Sequence, residues 1–415
     1  MLNTALIKAA AKNSIQVIVK LVIGFANIKL IAVLAGPSGM ATFGILQNYL
    51  QMGSGISNLG FQNGIIKYLA AYKSESRKSS MLSTAIISIA IVSLVLGISS
   101  LIFASNISQL LFNNSTQSTT IQLTGIYLIT SSAANLASAI LTGFQHIGKY
   151  ILLNIFMSIS GFILIVIGLY YYGTNGLLIA FTLALIPTSL LAYLIAFRGK
   201  SIKVSKFNRT HLKRLMGYSL MNITSAIIAP LTLIIVRGII INNTSLEVSG
   251  YWEGINKISN NYILVITASF SYYFLPKFSK IGHNKELRKE IKSTLITVLP
   301  LLAIGGISIY LLRDIIIKLL FDESFNGMEP LFIWQILGDT FKITAWIFAT
   351  LLIAKGKIKT YIFTEIVSFI LITTIAWGSI VWLKVESINL YYFIENVIYL
   401  TILVTIYRRS LNQKS

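Results

Sequence analysis

The chain has no cysteine among its 415 residues, which excludes disulfides, thiolate catalysis and Cys-ligated zinc or iron–sulfur centres. Charge is scarce as well. Only 11% of the residues are Asp, Glu, Lys or Arg, against about 25% in soluble domains, too few to cover a water-facing surface. Acids are the scarcer sign, 13 against 34 bases, and the net charge is +21. The three histidines, His146, His211 and His283, fall in connectors and lack metal-ligand spacing, so neither a metal nor a cofactor is expected. No Ser/His/Asp grouping marks a catalytic centre. Gly143 to Tyr150 approaches a phosphate-binding loop, but it ends in Tyr where Ser or Thr must reach magnesium, and no strand precedes it. What remains abundant is hydrophobicity, at 55% of the chain.

Apolar stretches of roughly 20 residues are what a bilayer demands of a crossing helix. The sequence offers twelve: 12–35, 38–69, 80–111, 119–142, 150–172, 175–197, 215–241, 248–275, 292–320, 329–353, 358–383 and 388–407. The first is too long for a signal-peptide core and lacks a small-residue cleavage site, so it reads as a retained span. The connectors alternate in character. Odd ones (36–39, 113–118, 173–175, 242–247, 321–328, 384–387) are short and uncharged or acidic, with Lys384 their single base. Even connectors and both termini hold 25 of the 34 Lys and Arg, and Lys67 beside them makes 26. That asymmetry puts the even connectors and both termini in the cytoplasm. It also accounts for the charge with no nucleic-acid partner.

The expected fold is therefore all-α: a polytopic membrane protein of about twelve transmembrane helices, in two six-helix lobes related by a pseudo-two-fold along the membrane normal. The lobes would be residues 1–199 and 215–415, joined by a basic cytoplasmic linker at 200–214. Spans 2 and 3 with Lys73, Arg77 and Lys78 are echoed about 210 residues later by spans 8 and 9 with Lys280, Arg288 and Lys289. Parallel repeats of this kind place a pathway along their shared axis.

Four spans are polar on one face, which must turn to protein or water. Span 1 has Asn13, Gln16, Lys20 and Asn27; span 2 has Gln47, Gln51, Ser54, Asn58 and Gln62. Span 7 has Asn222, Ser225 and Arg237 about Pro230, and span 8 has Glu253, Asn256, Lys257, Asn260, Thr267 and Ser271. These amides either tie helices together or line a central cavity. Among the charges within the slab, Glu253 and Lys257 at i,i+4, Asp339 and Lys342 at i,i+3, and the adjoining Arg313 and Asp314 can cancel locally. Lys20, Lys29 and Arg237 are left unpaired, an excess of positive charge that suits a phosphate. Lys29 and Arg237 lie near the outer ends of their spans and could instead reach the surface. Asp339 with Lys342 is either an inert pair or an ion-coupling group. Glu365 has no base within a helical turn, so its proton could follow a gradient. Trp346, Trp377, Trp382 and Tyr170–Tyr172 suit either sugar stacking or an interfacial belt.

In order and spacing, the segments Lys29–Pro37, Asn63–Tyr68, Ile266–Pro276, Leu311–Asp314, Trp334–Lys342 and Ile353–Lys355 resemble the Wzx-type flippases. These are the O-antigen and enterobacterial common antigen translocases of the multidrug/oligosaccharidyl-lipid/polysaccharide exporter superfamily. The resemblance implies a transporter of the bacterial inner membrane, not an enzyme. It would move an undecaprenyl-pyrophosphate-linked oligosaccharide from the cytoplasmic to the periplasmic leaflet through a cationic cavity. Its partners would be that glycolipid, membrane lipids, the glycan polymerase machinery and a coupling proton or sodium ion. On this reading Lys20, Lys29 and Arg237 bind the diphosphate. Gln47, Gln51, Asn58, Asn256, Lys257 and Asn260 line the glycan path, and Asp339, Lys342 and Glu365 couple the ion. The other classes are an ion-coupled multidrug or small-solute antiporter of the same superfamily, whose cationic ligands a lysine-lined cavity disfavours, and a membrane glycan polymerase or ligase, which would need a large outer loop.

Overall fold

A computed structural model describes residues 4–197, 205–281, 283–383 and 388–412. The predicted outer connector at 384–387, residues 198–199 at the end of the first lobe and residues 200–204 of the linker lie outside the described residues. So do the side chains of Asn13 and Ser271. Helices follow one another along the chain, and the described residues contain no strand. The first half holds α1 (Thr4–Ser57), α2 (Gln62–Ala71), α3 (Glu75–Ile102), α4 (Ala104–Phe112), α5 (Ser118–Gly143), α6 (Ile147–Leu183), α7 (Ile186–Ala192) and a π-turn at Tyr193–Phe197. The second holds α8 (Arg209–Asn243), α9 (Leu246–Lys280), α10 (Asn284–Leu311), α11 (Arg313–Leu320), a 3₁₀ turn at Glu323–Met328, α12 (Leu331–Ala354), α13 (Ile358–Leu383) and α14 (Leu390–Asn412).

Among the described residues nine helical segments are long and apolar enough to cross a membrane, and the chain is a multi-pass membrane protein. Two of the nine, 43 and 50 residues long, are each enough for two crossings at 1.5 Å per residue. The more polar α9, 35 residues long, is long enough for one more. The double segments correct the expected loops at 36–39 and 173–175. In each, a single glycine leaves the helical region, Gly36 at φ 64° and Gly173 at φ 59°, and the helix resumes at once. Only glycine takes that backbone without strain, and Pro37 then starts the next helix where a missing N–H costs nothing.

Contacts divide the chain into two compact units. One comprises residues up to Leu30 with Thr42–Ile234; the other comprises Ile31–Ala41 and everything from Ile235. The change-over thus lies inside α8, and the piece of α1 around Gly36 goes with the second unit. Of the nine segments, α5 has the most buried membrane window in the first unit, at 56%, and α12 in the second, at 61%. These are the fourth and tenth of the twelve expected spans. Small residues permit the close crossings: in the first unit the backbones of Gly97 on α3 and Gly125 on α5 touch. A buried hydroxyl chain ties the end of α1 to these two helices, Ser57 to Ser132 of α5 at 3.0 Å and Ser132 to Ser93 of α3 at 2.9 Å. In the second unit Phe278, Ala345, Ile347, Phe348 and Leu403 form a core among α9, α12 and α14.

Candidate functional site

In the first unit the polar stripe of α1 is anchored at two levels. Lys20 is half-buried and donates to the Asn154 side-chain oxygen at 3.2 Å, while Asn154 donates in turn to its own helix at Tyr150. A neutral amide thus holds the ammonium and leaves its charge uncancelled. One turn earlier, Gln16 is buried with its side-chain oxygen unpaired among the described residues. Lys29 is half-buried and is also engaged. Further along, Gln51 is exposed and Gln47 half-buried. Asn58 turns back on its own helix, donating to the Ser54 carbonyl at 2.7 Å. The next connector, with Leu59 and Gly60 in the left-handed region, is clasped by α8 through Asn222, which donates to the Gly60 carbonyl at 2.8 Å.

The second unit gathers the charges differently from the sequence expectation. Arg237, expected to be unpaired, is almost wholly buried on α8 and forms a very short ion pair with Glu253 of α9. The same carboxylate binds Lys257 at 3.0 Å one turn on. One acid therefore serves two cations, and the three side chains together carry a single net positive charge. The i,i+4 rule showed the Glu253–Lys257 half; the Arg237 half needs two helices to pack and has no signature in local spacing. The Arg237 guanidinium also lies over the Trp252 ring, 5.1 Å from its centroid, and Trp252 donates to Tyr391 at 2.9 Å. Two of its nitrogens, Nε and Nη1, have no partner among the described residues. On the same helix Asn256 donates to the Trp252 carbonyl at 2.7 Å, and Asn260 is exposed.

Asp339 sits at a second node. It is 2% exposed on α12, and no ion pair joins it to Lys342 among the described residues. Hydroxyls surround it instead: Ser259 donates at 2.7 Å, Tyr392 at 2.7 Å and Tyr262 more closely still, with the Gln335 amide at 3.3 Å. Lys342 is exposed, its ammonium 5.3 Å from the centre of the Tyr392 ring. Asn389 extends the network by donating to Gln335 at 2.9 Å, leaving its own oxygen buried without a partner among the described residues. A cavity of about 310 Å³ reaches Asp339 past Tyr262 and the paired glycines Gly305 and Gly306 of α10. Farther along α13 and α14, Tyr399 donates to Glu365 at 3.2 Å and Ser368 to Glu395 at 2.5 Å. Ser259, Tyr262, Gln335, Asn389 and Tyr392 were not singled out from sequence. They are ordinary polar residues until α9, α12 and α14 bring them onto one carboxylate. Arg313 likewise pairs chiefly with Glu329, at 2.8 Å, and only loosely with the adjoining Asp314, at 3.9 Å. Trp377, Trp382 and Tyr170–Tyr172 are exposed on their helices.

Two half-length units, with helix length for twelve crossings between them, define a twelve-helix, two-lobe membrane fold. The fold matches a lipid II flippase, MurJ, in an inward closed conformation, with TM-score 0.76, 15% identity and coverage of 95% of this chain and 87% of that one. It also matches an inward-facing multidrug resistance transporter of the MATE family, with TM-score 0.72, 14% identity and coverage of 96% and 98%. The chain belongs to the polysaccharide biosynthesis protein family, which matches residues 30–330. It is 28% identical over 379 residues to the Lipid III flippase of Escherichia coli strain K12, covering 90% of this chain and 91% of that one, and equally to the Lipid III flippase of Shigella flexneri.

Proposed function

We propose that the chain is a flippase for an oligosaccharide carried on a polyprenyl diphosphate, a transporter and not an enzyme. It would act by alternating access in a bacterial inner membrane with both termini cytoplasmic. The observation that carries this reading is the positive charge kept at both polar sites. Lys20 is held by a neutral amide, and Arg237 and Lys257 share one carboxylate. A membrane protein keeps a net positive charge at a cost, and a diphosphate offsets it through charge-assisted hydrogen bonds. Membership of a polysaccharide-biosynthesis family and likeness to two flippases support the same chemistry.

Within this reading Lys20, Lys29 and Arg237 bind diphosphate, with Lys257 the more accessible partner of the buried Arg237. Gln47, Gln51, Asn58, Asn256 and Asn260 follow the glycan, the exposed Gln51 and Asn260 being its best placed contacts. Asp339 and Glu365 couple an ion, with the Asp339 node supplying oxygen ligands and its cavity a route to them. Lys342, beside that node over the Tyr392 ring, belongs to the same ion-coupling group. The glycan polymerase machinery takes the product. A multidrug antiporter shares the fold, but cationic drugs would meet like charge at both sites.

The test is translocation of a labelled polyprenyl-diphosphate oligosaccharide by the purified chain in proteoliposomes. Lys20→Gln should lower the rate at least tenfold, the equivalent of losing one charged hydrogen bond. A wild-type rate in Lys20→Gln together with Lys257→Gln would remove the diphosphate assignment.

A further inference from the structure

The largest cavity among those described lies within the second unit and is used by none of the chemistry above. It is a groove of about 960 Å³ between α10, α12 and α14. Its wall is aliphatic and aromatic, with Leu295, Leu299, Phe348 and Val404 among its residues. One end is different. Arg288 and Lys292, one turn apart on α10, and Arg408 on the last turns of α14 all line it there. All three are exposed, and none has an ion-pair or hydrogen-bond partner among the described residues. The nearby acid Glu290 is already engaged by Lys277 at 2.5 Å. Pro300 also lines the groove, and it leaves the Ile296 carbonyl without its helical donor on this side of α10.

We infer that this groove is a binding site for an anionic phospholipid, with its phosphate headgroup on Arg288, Lys292 and Arg408 and one acyl chain along the wall. Charge complementarity selects the occupant. A zwitterionic lipid would bring a cation to three cations, and a free anion would leave the apolar wall wet. The geometry has the right order too, since a lipid is polar at one end and apolar over the rest, as the groove is. The three cations lie on the side that carries most of the chain's bases, so the lipid belongs to that leaflet. Guanidinium groups suit phosphate oxygens particularly well, forming two parallel hydrogen bonds. The site needs no transported substrate and stands apart from the flippase reading.

The experiment uses the full chain in mixed-lipid nanodiscs, with three probes offered in turn: phosphatidylglycerol, phosphatidylcholine and inorganic phosphate. Retained lipid is counted by native mass spectrometry after release. A phosphatidylglycerol with a photoreactive acyl chain maps the contact. Wild-type protein should retain phosphatidylglycerol and crosslink it to α10, α12 or α14. The triple variant Arg288→Gln, Lys292→Gln, Arg408→Gln should retain it about 100-fold less tightly, each cation near a membrane surface being worth roughly fivefold. The three side chains are exposed, and an unchanged unfolding midpoint will certify the fold. Leu299→Trp, which fills the groove and leaves the cations, should abolish the crosslink independently. Equal retention of phosphatidylcholine, binding of inorganic phosphate alone, or unchanged retention in the triple variant would overturn the inference. So would displacement of the crosslink by a polyprenyl diphosphate at equal concentration, which would make the groove a substrate site.

Discussion

Replacing Glu253 by Gln probes the buried charge cluster directly, because one carboxylate holds two cations. Glu253→Gln keeps the shape and strands both Arg237 and Lys257. Removing one partner of a buried ion pair costs about 3–5 kcal/mol, since the remaining charge is left uncompensated. Arg237→Met should cost much less, about 1–2 kcal/mol. Glu253 keeps Lys257 at 3.0 Å, and the substitution also removes two guanidinium nitrogens that have no partner among the described residues. The double variant Glu253→Gln, Arg237→Met should therefore recover at least half of the single-variant loss, a coupling that additive sites do not show. Per-residue unfolding entropies spread over 415 residues turn 3–5 kcal/mol into a midpoint shift of roughly 3–6 °C. Thermal unfolding of the purified chain in detergent, read by intrinsic tryptophan fluorescence, resolves that difference. If Glu253→Gln proved no more damaging than Arg237→Met, or the double variant were simply additive, Glu253 would not be the counter-charge for both.

Asp339→Asn should destabilise the chain by about 1–3 kcal/mol, because an amide offers one acceptor oxygen where the carboxylate receives Ser259, Tyr262, Tyr392 and Gln335; an unchanged unfolding midpoint would contradict this. Gly97→Leu should lose about 1–3 kcal/mol by forcing α3 off the backbone of Gly125, with Gly97→Ala milder, and the ratio of folded to aggregated protein after detergent extraction reports it. His211, on the first turn of α8 outside the membrane span, is 8% exposed, and burial together with Arg214 and Arg77 holds its imidazole below the ordinary value of 6.5. Above that value neither folded nor unfolded chain is charged there and the stability is whole; as pH falls below it, the unfolded chain takes a proton that folded His211 refuses, and stability drops. His211→Gln should flatten that acid-side decline in the unfolding midpoint, and an equal slope in both proteins would exclude His211 as its source.

The number of spans was legible because a bilayer imposes it locally. Each crossing must satisfy its own backbone hydrogen bonds over some 20 apolar residues, so length and hydropathy suffice to count helices. The two glycine hinges read as loops in the sequence for a related reason. A one-residue departure at Gly36 or Gly173 leaves no polar run behind it, only a Gly-Pro or a Gly-Thr in an apolar stretch. The Lys257–Glu253 pair was visible because it lies on one helix face at fixed spacing.

The alternation of spans and cations is written in the residues themselves, because the chain meets lipid and water in turn. What each intramembrane charge faces depends instead on how the helices pack. Glu253 sits 16 residues from Arg237 and across a helix turn-back, and Ser259 meets Asp339 from 80 residues away. No periodicity encodes such partners. In a medium without water a charge must find its counterpart wherever packing offers one, and packing is a property of the whole unit, not of any one helix.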